Sequence, residues 1–143
     1  MHNLQSLGGL VSPYGPNAQT GLKFWKRRKI SPTKTSRIYG SYQAVLNMLQ
    51  PPNTVQGLNL RAFEIPASGG LGTYPLTADL AHSFTAGSEI IAYHDVEDLH
   101  SQLAEVCSNP TRAKAMIAAG RQRVIREHTY ALRAQRLLRD WLA

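Results

Sequence analysis

A chain of 143 residues with 16 lysines and arginines against 9 acids, a formal charge of +7, has room for one domain with a real core and is short for a two-domain enzyme. The charge favours an anionic partner, whether a nucleotide diphosphate, a nucleic acid or a membrane surface, without choosing among them. The single Cys107 excludes an internal disulfide, no apolar run reaches bilayer length and no basic-then-apolar leader opens the sequence, so a soluble, cytoplasmic protein is expected.

Residues 1 to 9 are polar and aperiodic and read as a flexible N-terminus, with one domain expected over 10–143. Leu10 to Tyr14 has the composition of a short strand, which Pro13 confines to an edge or an end, and Gly15-Pro16-Asn17 marks a turn. From Lys23 to Lys29 basic residues alternate with Phe24 and Trp25. Four readings fit that run: a loop whose aromatics tuck inward, a phosphate-facing loop, a nucleic-acid contact through cations and a stacked ring, or a lipid-headgroup patch. Ser31-Pro32-Thr33-Lys34-Thr35 is expected to be loop, and Ser36 to Tyr42 a short helix or turn.

Ala44 to Leu49 is an apolar run of strand length ended by Pro51-Pro52. Lacking alternation, it suits a parallel strand covered on both faces, and Asn47 inside it needs hydrogen-bond partners as a buried amide. The loop 53–57 then leads into a short helix with Asn59 as a capping residue, Leu60, Phe63 and Ala67 at helical spacing, and Gly69-Gly70 as its stop. That places a helix start at the carboxyl edge of the sheet, where open α/β sheets take their ligands. Backbone amides at such a start favour phosphate, and Arg61 adds a mobile cation. Glu64, one turn on, is placed to accept from sugar hydroxyls; the competing reading is a plain surface pair between Arg61 and Glu64.

Gly69 to Tyr74 lacks the Gly-Lys-Ser/Thr ending of a phosphate loop and reads as a helix stop running into a weak strand. Thr77 to Phe84 suggests a short helix and Ile90 to Tyr93 a buried strand, with Glu89 fixing the loop before it. Asp95 caps a helix with Val96, Leu99, Leu103 and Val106 on one face, near whose end Cys107 reads as a small core residue. Asn109-Pro110 opens a second helix carrying Ala113, Ile117, Gly120 and Val124. Thr129 caps a last one in which Ala134, Leu137, Leu138 and Trp141 are expected to pack inward. The sum is an α/β fold: a Rossmann-like parallel sheet with flanking helices and a helical C-terminal cap.

The run LNMLQPPNTVQGLNLRAFEIPASGG, followed by FTAGSEIIAYHDVEDL, NPTRAKAMIAAGRQRV and HTYALRAQRLL, resembles the C-terminal region of the CgeB-like glycosyltransferases over roughly residues 36 to 142. These resemble the GT-B class, in which two Rossmann-like domains face each other and the C-terminal one holds the nucleotide-sugar donor. The resemblance implies sugar transfer from a nucleotide diphosphate to an unknown acceptor without a dedicated metal or cofactor. The acceptor half would then come from a second chain or be missing through truncation. In that class two glutamates stand eight positions apart; Glu64 matches the one that contacts the donor ribose, and Gln56 replaces the other, keeping a hydrogen-bonding group beside the sugar without its charge. By the same resemblance Arg61 and the backbone of Gly57, Leu58, Asn59 and Leu60 neutralise the leaving diphosphate, and Gly15 and Asn17 lie near the donor. His128, Tyr130 and Arg133 match the family's HTY element and are read as packing residues.

Other chemistries find little support in the sequence. The five histidines are scattered, no HExxH pattern or Cys/His cluster is present, and the acids Asp95, Glu97 and Asp98 are accounted for by their place at a helix start. A stand-alone nucleotide-sugar-binding module or truncated remnant, and a nucleic-acid-binding protein acting through 23–34, are the competing functional classes.

Overall fold

The computed structural model describes residues 30–48 and 57–142. Its elements run α1 (Pro32–Ser41), β1 (Val45–Leu46), α2 (Arg61–Ala67), β2 (Gly72–Pro75), α3 (Ala78–Ser83), β3 (Ile91–Tyr93), α4 (Val96–Ser108), α5 (Pro110–Glu127) and α6 (Tyr130–Leu142). The strands form a three-stranded sheet in the order β1-β2-β3, parallel throughout, with Val45 opposite Gly72 and Thr73 opposite Ile91. A small parallel sheet with helices as crossovers is the Rossmann-like arrangement the sequence pattern implies. The expected strand at 10–14, the basic run at 23–29 and the flexible segment 1–9 lie outside the described residues.

Side chains alternate across a strand, and the core divides accordingly. One cluster gathers Ala62, Tyr74, Leu80, Phe84, Ile90 and Val124; the other gathers Leu71, Ile91, Val106 and Met116. α5 serves both, with Val124 in the first and Met116 in the second. Between them sits Gly120, where an added Cβ would press into the backbone carbonyl of Glu89 and touch Pro66. Close approach of α5 to the turn before β3 therefore requires glycine there.

Several expectations change against the structure. Residues 32–35 are helix rather than loop, because Pro32 occupies the first turn, where its missing N–H costs nothing, and the Ser31 hydroxyl accepts from the Lys34 amide at 3.4 Å. β2 is the central strand, with Gly72, Thr73 and Tyr74 buried. The inward face of α2 is Ala62, Ile65 and Pro66, whereas Leu60 and Ala67 are exposed and Phe63 is half-buried. Cys107 is exposed, its thiol donating to the Gln43 side chain. Ala134, Leu137, Leu138 and Trp141 of α6, expected to pack inward, are also exposed.

Pro66 inside α2 has a structural answer. Its ring nitrogen offers no hydrogen to the carbonyl of Ala62 one turn earlier, which is buried. The hydroxyl of Tyr74, reaching across from β2, donates to that oxygen at 3.2 Å. Burial raises the Tyr74 phenol's pKa far above its ordinary value, so the group stays a donor at any physiological pH.

Candidate functional site

β1 ends at Leu46, and the next residue, Asn47, is buried to 1% exposure. Its amide is satisfied by Asn59 in a reciprocal pair: Asn47 Nδ2 donates to Asn59 Oδ1 and Asn59 Nδ2 donates to Asn47 Oδ1, both at 3.0 Å. Asn59 Oδ1 also accepts the backbone N–H of Ala62 at 3.1 Å, which satisfies one of the orphan donors of the first turn of α2. The capping role expected of Asn59 is thus present, and it is tied to the strand end by the same oxygen. α2 is pinned with its start at the carboxyl edge of the sheet.

Arg61 and Glu64 project from α2 and are both exposed. Neither forms an ion pair among the described residues, so the surface pair allowed by their spacing is not made. The amides of Ala62, Phe63 and Glu64 are occupied by the oxygens of Asn59 and Leu60. Of the other anticipated site residues, Gly57 and Leu58 are half-buried, with Leu58 packed on the first core cluster, and Leu60 is 53% exposed. Gln56, Gly15 and Asn17 lie outside the described residues.

Tyr39 joins this group unannounced by any spacing. It stands on α1, whose Gly40 lies against the Ser68 carbonyl and whose Tyr39 carbonyl lies against Gly70, so α1 docks along the end of α2. Burial raises the Tyr39 phenol's pKa; the charge of Arg61 opposes that rise and the charge of Glu64 adds to it. Only packing of α1 on α2 brings the three together, and no local motif announces such a contact.

On the other flank of α2, Phe63 lies between two partners: the Arg133 guanidinium 4.5 Å from its centroid and the His128 ring at 5.0 Å. Phe84 lies beside them with its ring tilted, 5.7 Å from both Phe63 and His128. His128 Nε2 faces the Ser83 carbonyl at 3.2 Å, which can only accept, so that nitrogen carries the hydrogen. Tyr130 stays 72% exposed. His128 and Arg133 therefore pack, as read from the sequence. Desolvation lowers the pKa of His128 below its ordinary 6.5, with the Ser83 contact opposing it. A depressed histidine contributes stability that is complete above the unfolded value and is lost as pH falls through the folded one. The melting temperature should fall as pH drops from about 7 to about 5, and fall less in His128→Gln, measured by thermal unfolding across that range.

Elsewhere the polar side chains hold loops. Glu89 accepts the Thr85 amide at 2.7 Å and both nitrogen–oxygen contacts of Arg123 Nε at 3.1 and 3.2 Å, so it fixes the turn before β3 as its position suggests. Asp98 accepts from the Gln102 side chain and the His94 amide, which hold its carboxyl below the usual range. Among the described residues no three histidines, cysteines or carboxylates gather into a metal-binding group.

Residues 4–139 match a family model described as glycosyl transferase-like. The chain belongs to the glycosyl transferase-like family. No curated protein and no solved structure matches it. In this glycosyl transferase-like domain Arg61 and Glu64, one cation and one carboxylate a turn apart on α2, are exposed and make no ion pair among the described residues. Among the described residues no helix is long and apolar enough to cross a membrane.

Proposed function

We propose that residues 10–143 form the donor-binding half of a cytoplasmic, CgeB-like glycosyltransferase of the GT-B class, moving a sugar from a nucleotide diphosphate to an acceptor held by a second chain. The observation that carries this reading is the pair Arg61 and Glu64, exposed and without ionic partners among the described residues, in a glycosyl transferase-like domain. In this reading Arg61 and the amides of Gly57 to Leu60 receive the diphosphate. Charge builds on that group as the glycosidic bond breaks, and fixed donors at the point of charge development are the largest source of rate. Glu64 accepts from the ribose hydroxyls, Gln56 meets the sugar, and Gly15 and Asn17 line the donor. No metal or cofactor is assigned a part.

Calorimetric titration with UDP, GDP, their sugars and inorganic pyrophosphate tests the assignment. Arg61→Ala should weaken every diphosphate about tenfold, the loss of one charge-assisted hydrogen bond. Glu64→Ala should weaken the nucleotides similarly and leave pyrophosphate unchanged, because pyrophosphate has no ribose. Equal effects of Glu64→Ala on both would remove the carboxylate from the ribose. Sugar-nucleotide binding without turnover, even with a partner chain present, would favour a binding module. Binding restricted to oligonucleotides would favour the nucleic-acid reading.

A further inference from the structure

Arg61, Glu64 and Ser68, spaced by one helical turn, fall within about 60° of one another around the axis of α2. The two exposed charges therefore share the face that ends at Ser68, and α1 abuts it there. A Cβ added to Gly40 would lie 3.1 Å from the Ser68 carbonyl, and one added to Gly70 would lie 2.8 Å from the Tyr39 carbonyl. Tyr39 is thus fixed at the point where α1 meets α2. Its phenol lies within reach of the charges of Arg61 and Glu64, and within reach of the Tyr74 phenol, whose hydroxyl sits under the Ala62 carbonyl in the first turn of α2.

The two tyrosines differ in what their hydroxyls do. That of Tyr74 is engaged by the Ala62 carbonyl. The Tyr39 ring is half-buried, but its hydroxyl makes no hydrogen bond among the described residues, and none of their buried side-chain oxygens or nitrogens lacks a partner, so this hydroxyl opens on solvent. A ring held by packing with a free polar tip is a group placed for a ligand. The chemistry of its neighbours selects the atom it meets. Arg61 can only donate and a carboxylate only accepts, whereas the oxygens of a diphosphate accept and take hydrogens from a guanidinium and a neutral phenol. Burial raises the Tyr39 phenol's pKa, which keeps its hydrogen in place at physiological pH.

We propose that Tyr39 is a further binding residue of this site, its hydroxyl donating to a phosphate oxygen beside Arg61, so that α1 and α2 each supply one donor to the diphosphate. The proposal rests on the donor-site reading given above.

The test is calorimetric titration of the full chain and of Tyr39→Phe with UDP, GDP and inorganic pyrophosphate, beside thermal unfolding of both proteins without ligand. Phenylalanine keeps the ring, and the lost hydroxyl has no partner among the described residues, so the melting temperature should not change. Affinity for all the diphosphates that bind should fall together by about tenfold, the loss of one charge-assisted hydrogen bond. A loss confined to the nucleotides would put the hydroxyl on the nucleoside and overturn the phosphate contact. A lowered melting temperature would overturn it too, because the hydroxyl would then hold the fold. Wild-type affinity in Tyr39→Phe, with Arg61→Ala still weakening the diphosphates, would remove Tyr39 and leave the donor site standing. Binding that neither variant weakens, or no binding by the wild-type chain, would remove both.

Discussion

Asn59→Ala is expected to lower the stability of the domain by about 2–4 kcal/mol, read as a shift of the urea midpoint at unchanged slope. Two losses combine. The amide of Ala62 loses its side-chain acceptor but keeps the Asn59 carbonyl at 3.0 Å, so this loss falls at the low end of a cap's about 0.5–2 kcal/mol, and Asn47, at 1% exposure, is left without its reciprocal partner, at about 1–3 kcal/mol for a buried orphan. Asn59→Asp is an informative companion. It keeps the cap acceptor but returns no hydrogen to Asn47 Oδ1, and it buries part of a charge. It should recover little of the loss. A change below about 0.5 kcal/mol in Asn59→Ala would mean that the pair is replaced by water and does not fix α2.

Gly72→Ala carries the second large effect. A Cβ at that position would fall on the hydroxyl end of the Tyr74 ring, two residues along the same face of the buried central strand. The ring cannot stay where it is, and moving it removes the donor that satisfies the Ala62 carbonyl opposite Pro66. Overpacking of this kind costs about 1–3 kcal/mol, and the orphaned carbonyl adds a comparable amount, so a loss of about 3–4 kcal/mol is expected. Tyr74→Phe isolates the hydroxyl and should cost about 1–3 kcal/mol, with the ring in place. Because both substitutions act through one oxygen, the double variant should be less destabilised than the sum. Strict additivity, measured in the same urea series, would show that the ring and the glycine are not coupled.

What the sequence discloses about this fold follows the range of the interactions. Asp95 and Asn109 announce their helices because a cap is a contact between neighbours: Asp95 Oδ1 accepts the Asp98 amide at 2.8 Å and Asn109 Oδ1 accepts the Arg112 amide at 3.0 Å. Ser31-Pro32 is the same signal, misread as loop because proline and threonine weigh against a helix interior while favouring its first turn. The inward face of α2 is less legible. Residues 62, 65 and 66 are turned in by the ring of Tyr74 above Gly72 and by Gly120 against Pro66, contacts made by elements far along the chain. The stripe on α6 is evident in the sequence, but amphipathicity states only that a face is apolar and not that the chain itself covers it. At the candidate site, Arg61 and Glu64 stand out from their pattern, and Tyr39 does not, since α1 reaches them only through its packing on α2.

The Asn47–Asn59 clasp joins the end of a strand to the start of a helix through side chains alone. An engineered change at either asparagine therefore reaches both elements at once, and the two positions are best redesigned as a pair.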